Sequence, residues 1–210
     1  MRGQWRFAVM VLGALLVVAA IWTWLPPDDA TQAAARSAIA RFERAKGVLW
    51  PEDRYGQTTL PSGVRQELQE RRYRELMTLA EGAALEDALE IEAVEALLRT
   101  PTLNGGRITV ASRAKVVYFD FRRRTLSGEL KVRAAYDVVK TTGRWHPRAG
   151  GIVDTVEDEP SDWCQIFEYT LTQHGDAWRI MAKEEASGPN GGPPYFYSPA
   201  TSAFTQDPGA

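Results

Sequence analysis

The amino-acid sequence predicts an α+β fold, in which an N-terminal transmembrane helix precedes two or three helices packed on a curved antiparallel sheet. Three observations lead to this prediction. An apolar run lies near the N-terminus, apolar residues recur at helical spacing up to residue 99, and alternation with a period of two begins at residue 107. The chain therefore divides into a cytoplasmic stub and anchor over 1–27, an extracytoplasmic domain over 28–186 and a disordered Gly/Pro-rich tail over 187–210.

The predicted anchor is the run of 19 uncharged residues over 7–25. At about 1.5 Å per residue, this run nearly spans a hydrocarbon core of about 30 Å. Two arginines precede it and two aspartates follow it, so the positive-inside rule predicts a cytoplasmic N-terminus and a domain outside the cell membrane. The alternative is a cleaved signal peptide and a secreted domain. The apolar region of a signal peptide is normally shorter, at about 7–15 residues.

Composition excludes several classes of function. The formal charge is −2, with Lys+Arg at 25 and Asp+Glu at 27, whereas nucleic-acid binders usually carry a basic excess. One cysteine permits no internal disulfide, and two histidines are too few for a multi-histidine metal site. We therefore expect no nucleic-acid partner, no cofactor and no metal.

Helical periodicity predicts the first half of the domain. Asp28 or Asp29 is expected to cap a helix that ends near Lys46. Ser62 is expected to cap a second helix that ends near residue 80, and a third should follow Gly82 as far as residue 99. The first helix carries an apolar stripe that should face the sheet: Ala35, Ala38, Ile39, Phe42 and Ala45.

Alternation predicts the strands of the second half. Residues 107–121 and 129–140 should form a hairpin, followed by a long polar loop over 141–161. A further strand should begin near Trp163 and turn at Gly175 and Asp176. On the last strand, we expect Trp178, Ile180 and Ala182 to share one face.

The last hairpin also carries a family resemblance. Residues 167–186, FEYTLTQHGDAWRIMAKEEA, resemble the terminal hairpin of nuclear transport factor 2-like domains, and the order of helices and strands over 30–186 is similar to that superfamily. The resemblance implies a sheet curved into a cone that holds a pocket. Membrane-anchored relatives would include single-pass assembly proteins of type IV secretion systems and extension domains of penicillin-binding proteins. The residues that could line such a pocket are aromatic: Tyr118, Tyr136, Trp163, Phe167, Tyr169 and Trp178. The alternative is that the last four of these form the core against which the helices pack.

No set of residues in the sequence predicts catalysis. His146 and His174 fall in a predicted loop and a predicted turn, where surface positions are expected. Cys164 has no adjacent base that would activate its thiol, so we expect a small buried core residue. Asp137 and Tyr136 are neighbours in a strand and therefore point to opposite faces.

The leading functional hypothesis is a single-pass membrane protein that presents a non-enzymatic interaction or assembly domain to a protein partner outside the membrane. One alternative is a module that binds a small apolar or amphipathic ligand in the cone. Another is an isomerase- or dehydratase-like enzyme. A filled interior beside an exposed apolar patch would favour the first hypothesis, a closed and purely apolar pocket the second, and a pocket lined by Asp or His with a Tyr the third. The sequence fixes neither the partner nor the oligomeric state.

Overall fold

The computed structural model describes residues 2–47, 49, 60–90, 107–146, 148–149, 151–187, 194–206 and 208. Within these residues the helices are α1 Arg2–Trp24, α2 Asp29–Ala45, α3 Ser62–Leu79 and α4 Gly82–Ala88. The strands are β1 Arg107–Arg124, β2 Leu130–His146, β3 Gly151–Glu157, β4 Cys164–His174, β5 Ala177–Glu185, β6 Phe196–Ser198 and β7 Ala203–Thr205. The predicted α+β class, with helices on an antiparallel sheet, is confirmed.

The strands of the described residues form one antiparallel sheet centred on β2 and β4. β1 pairs with one edge of β2 from Leu130 to Arg144, whereas two other strands share the opposite edge of β2. The first part of β2 pairs with β4, from Leu130 with Leu171 to Ala135 with Ile166, and its last part pairs with β3. β5 continues the sheet beyond β4.

The main core lies between the helices and one face of this sheet. Alternate residues of β2 and β4 point into it, because successive side chains of a strand face opposite sides. They meet the buried stripe of α2 and the apolar residues of α3 and α4. The members that are most completely enclosed are Ile39, Phe42, Leu76, Leu130, Val132, Tyr169, Leu171 and Ile180.

Helix α2 matches its prediction closely. The Asp28 side chain accepts a hydrogen bond from the Thr31 amide at 2.7 Å, which satisfies a donor that the first helical turn leaves free. The whole predicted apolar stripe is buried. One charged residue, Glu43, is buried with it, although it is not among the predicted core residues.

The other helix predictions need correction. Ser62 is the first residue of α3 rather than its cap, and Pro61 occupies the N-cap without a side-chain hydrogen bond. Gly82 adopts φ +57, a conformation that favours glycine, and it begins α4. The predicted third helix is described only as far as residue 90, and its continuation to residue 99 falls outside the described residues.

The predicted loop over 141–161 is also wrong in part, because most of it forms a second hairpin. β2 runs on to His146, and β3 pairs back with it. A bulge faces Gly143, with Asp154 at φ +51. A Cβ at residue 143 would collide with the Ile152 side chain, so glycine permits this close approach of the two strands.

The expected disordered tail requires a similar correction over 194–206. β6 and β7 form a hairpin, and β6 pairs with the start of β4, Cys164 opposite Tyr197. Tyr195 and Tyr197 pack on a small second core on the sheet face that points away from the helices. Their aromatic side chains supply the apolar area that outweighs the glycines and prolines around them.

Helix α1 lies at the edge of the domain. Among the residues whose side chains are described, which in α1 begin at Met10, no single helix is long and apolar enough to cross a membrane. The bent pair Met10–Trp24 and Asp29–Ala45, at 53° to each other, meets the length and composition requirement together. The Arg124 guanidinium lies 4.8 Å from the centre of the Trp22 ring, so the end of α1 contacts the β1–β2 hairpin.

Candidate functional site

The densest group of buried polar residues in the described chain surrounds Glu43. The Glu43 side chain is only 1% exposed and forms an ion pair with Lys183, whose Nζ lies 3.0 Å from Oε1. The Tyr169 hydroxyl donates to the same oxygen at 2.9 Å, and Lys46 Nζ donates to Oε2 at 3.0 Å. Both carboxylate oxygens therefore have partners, as a buried charge requires.

Three aromatic rings enclose the Lys183 ammonium. Nζ lies 3.9 Å from the centre of the Phe167 ring, 4.7 Å from that of Tyr136 and 5.8 Å from that of Tyr169. It also donates to the Tyr136 hydroxyl at 3.0 Å. The Lys183 side chain is 13% exposed, so the rings and the carboxylate replace most of its water. We call Glu43, Lys183, Tyr136, Phe167 and Tyr169 the Glu43–Lys183 cluster.

A bulge in β5 places Lys183 in this cluster. Leu171 pairs with Ile180, but Thr170 pairs with Ala182, so one extra residue enters β5 between them. The extra residue reverses the alternation, which leaves Trp178 and Ile180 facing the helices before the bulge and Lys183 facing them after it. The expectation that Ala182 shares a face with Trp178 and Ile180 is therefore wrong.

Electrostatics keep the pair ionised near neutrality. Burial raises the pKa of Glu43, but Lys183 and Lys46 outweigh this effect and hold its pKa below the usual value. Burial lowers the pKa of Lys183 to about 8, against the opposing effect of Glu43. Burial and then the charge of Glu43 raise the pKa of Tyr136 and of Tyr169, so both hydroxyls keep their protons. The two groups respond differently to burial because, in the described part of the chain, the Glu43 carboxylate contacts two cations whereas the Lys183 ammonium contacts one anion.

The cluster suits a structural role better than a chemical one. A general base needs a lone pair directed at substrate, whereas both oxygens of Glu43 already accept hydrogen bonds. A lysine nucleophile needs a neutral amine with access to a carbonyl carbon, whereas Lys183 Nζ lies between rings and a carboxylate. The acid and the tyrosines therefore fill the interior of the domain instead of lining open space.

The six predicted pocket residues separate into different places. Tyr136, Phe167 and Tyr169 come together around Lys183, and the Tyr136 and Phe167 rings stack with centres 5.7 Å apart. Trp178 belongs to the main core near α4. Tyr118 lies on the opposite sheet face, against Tyr197 and Phe204. Trp163 precedes β4 and is half-buried.

The residues weighed as possible catalysts lie apart from the cluster. Cys164 is buried on the opposite face of the sheet, which confirms its expected core position, and burial raises its pKa to about 11. A thiol of this kind is a poor nucleophile at neutral pH. His174 is exposed at the end of β4, 3.0 Å from Glu81, and His146 ends β2.

Sequence reasoning missed both charged members of the cluster. A signal for Glu43 is present, because Ala35, Ile39 and Glu43 are spaced by four residues and so lie on one helix face. A period-two reading of β5 gives no comparable signal for Lys183, because the bulge is set by pairing with β4.

Comparison with known proteins adds little to this geometry. No family model matches the chain, and no curated protein matches it. One solved structure with similarity to the chain is the intermembrane space region of the chloroplast protein ARC6, at 13% identity and a TM-score of 0.38, over 76% of this chain and 97% of that one. Function is therefore argued from the residues of this chain.

Proposed function

We propose that the chain is a single-pass membrane protein, in which α1 is the anchor and the α+β domain is a non-enzymatic interaction module outside the membrane. The domain would be a divergent nuclear transport factor 2-like fold, with the Glu43–Lys183 cluster in the place where the superfamily's cone holds its pocket. The anchor would keep Arg2 and Arg6 in the cytoplasm, following the positive-inside rule.

The observation that carries the proposal is the exposure of the middle of α1, residues 15–18, on every side. Leu15, Leu16, Val17 and Val18 are 60%, 63%, 58% and 63% exposed. Successive residues of a helix are about 100° apart, so these four side chains point in four directions around the axis. A helix that is apolar all round needs an apolar environment on all sides, which a bilayer supplies.

The junction after α1 fits a domain held close to a membrane surface. Trp22 and Trp24 lie at the end of the helix, where interfacial aromatic residues are common. Arg124 packs on the Trp22 ring, and Leu126, at the tip of the β1–β2 hairpin, is 76% exposed. Asp28 caps α2 directly afterwards, so the chain passes from anchor to domain within a few residues.

The filled interior favours interaction over catalysis. The aromatic residues predicted to line a pocket instead enclose a side chain of the domain itself, since Lys183 packs against the rings of Tyr136 and Phe167. The domain also carries exposed apolar side chains on its surface, among them Tyr73 and Met77, which are 45% and 44% exposed and one turn apart on α3. A filled interior beside exposed apolar groups is the combination expected of a partner-binding module.

Membrane insertion is tested by extraction of membranes at alkaline pH. The full chain should remain in the membrane pellet. The variant Leu16→Arg should weaken insertion, since an arginine at the centre of a membrane helix costs about 2.5–3.5 kcal/mol on insertion scales. Leu126→Arg, which introduces the same charge on the exposed hairpin tip, is the matched control and should remain in the pellet. Release of the unaltered chain would contradict the proposed anchor.

The interaction role is tested by photo-crosslinking in intact membranes. A photoreactive residue is placed in turn at Tyr73, Val156 and Phe204, which are exposed and distant from one another in the sequence. The proposal expects one position to give an adduct of defined mass. The same adduct should form in the double variant Glu43→Gln/Lys183→Met, because the interior cluster is not part of the interface. Absence of an adduct at all three positions would count against the module.

A further inference from the structure

A basic groove lies on the domain surface, away from the Glu43–Lys183 cluster. It is formed by the C-terminal end of α2, the middle of α3, and β1 with β2, and it encloses about 300 Å³. The charged side chains that line it are Arg44, Arg71, Arg72, Lys140 and Glu75. Among the residues that the structure describes, four cations and one carboxylate line the groove, a local excess of three positive charges, whereas the whole chain has a formal charge of −2. The groove thus concentrates positive charge that the chain as a whole lacks.

Arg72 is built into the floor of this groove. Its residue is 7% exposed, and its Nε and Nη2 donate to the carbonyl oxygens of Lys46 at 3.2 Å and Ala88 at 2.5 Å. These carbonyls belong to the C-terminal ends of α2 and α4, which carry negative partial charge. Arg72 offsets that charge, so the helix ends do not repel an anion in the groove.

The other three cations remain available to a ligand. Arg44 pairs with Glu75 only at 3.9 Å, and both side chains are about half exposed, which makes a weak pair. Within the described part of the chain, Arg71 and Lys140 form no ion pair. Thr109 and Ser112 add hydroxyl groups from β1, and Leu68 adds an apolar wall. Guanidinium groups match the geometry of phosphate oxygens, and the volume is that of a small-molecule site.

We propose that this groove binds a small phosphate-bearing ligand, held by Arg44, Arg71 and Lys140. The ligand is either a soluble phosphorylated compound or the headgroup of phosphatidic acid, since both present a phosphate monoester. The proposal does not depend on the function assigned above, because it rests on the groove alone.

The test is calorimetric titration of the full chain, in nanodiscs of phosphatidylcholine, with inorganic pyrophosphate. We expect saturable binding to one site that weakens as salt is raised. Arg71→Gln and Lys140→Gln should each weaken binding by about tenfold, the loss of one charge-assisted hydrogen bond. Arg123→Gln, an exposed arginine near the other end of β1, is the matched control and should bind like the unaltered chain. Thermal unfolding of each variant verifies that the domain is folded.

A second arm identifies the source of the phosphate. The titration is repeated in nanodiscs that also contain phosphatidic acid. Loss of pyrophosphate binding there supports a lipid headgroup as ligand, and unchanged binding supports a soluble compound. Absence of saturable binding in phosphatidylcholine nanodiscs would overturn the proposal. Equal weakening by Arg71→Gln, Lys140→Gln and Arg123→Gln would also overturn it, because binding would then follow net charge.

Discussion

Replacing Lys183 with methionine should destabilise the domain far more than the same replacement of an exposed surface lysine would. The change leaves the Glu43 carboxylate, whose side chain is 1% exposed, without the cation 3.0 Å from Oε1. Breaking a buried pair by removing one partner typically costs about 3–5 kcal/mol. Lys46 and the Tyr169 hydroxyl still contact the carboxylate, so we expect the lower end of this range. Methionine fills a similar volume between the rings, which limits the packing loss.

A double-mutant cycle separates this charge effect from packing. Glu43→Gln/Lys183→Met removes both charges, and we expect it to recover most of the stability lost in Lys183→Met, because no unpaired charge remains buried. Urea unfolding of the full chain, followed by tryptophan fluorescence, measures the four free energies of unfolding. A loss below about 0.5 kcal/mol in Lys183→Met, or additive effects in the cycle, would refute a coupled buried pair.

Three further predictions follow from the burial of single groups. The pKa of Glu43 is held below its usual value of 4.5 in the folded chain, so the unfolded chain binds more protons in acid. The free energy of unfolding, measured in urea at several pH values, should therefore fall as the pH drops below about 4.5. The variant Glu43→Gln should lose less of its free energy of unfolding over the same pH range. Trp178→Ala should cost about 3–5 kcal/mol by the same measurement, whereas His174→Ala should leave stability within error. A chain ending at Ser187 should melt several degrees lower, because it lacks the packing of Tyr195 and Tyr197. A loss of about 1 kcal/mol in free energy of unfolding corresponds to about 2–4 °C for 150–250 residues. An unchanged melting temperature would mean that this packing does not contribute to stability.

The sequence predicted the parts of the fold in which periodicity alone determines burial. The cap at Asp28 and the stripe from Ala35 to Ala45 are local features of one helix, and the structure has both. The alternation of β2 likewise places Leu130 and Val132 toward the helices. Such features depend on neighbours within a few residues, so they are readable from the chain itself.

The parts that the sequence did not predict depend on pairing between distant segments. The β2–β3 hairpin is rich in glycine and polar residues, and β3 is defined only by its pairing with β2. The tail hairpin forms because its aromatic residues find an apolar patch around Ile166. The Glu43–Lys183 cluster joins residues 140 positions apart in the chain, and a bulge in β5 directs the lysine inward. The spacing of α2 indicates that Glu43 faces the core, but no local pattern indicates that Lys183 is its partner.

The most direct test of a filled interior is the reactivity of Lys183 toward acetic anhydride. Because burial lowers the pKa of Lys183 to about 8, an accessible Lys183 would be among the fastest lysines to react near that pH. We expect the opposite: in the folded full chain, peptide mass spectrometry should find Lys183 modified at least about tenfold more slowly than the exposed Lys115, because the reagent must wait for local opening. In urea, the two lysines should react at similar rates. Reaction of Lys183 in the folded chain as fast as that of Lys115, or faster, would contradict a closed structural cluster and indicate an open pocket with a reactive amine.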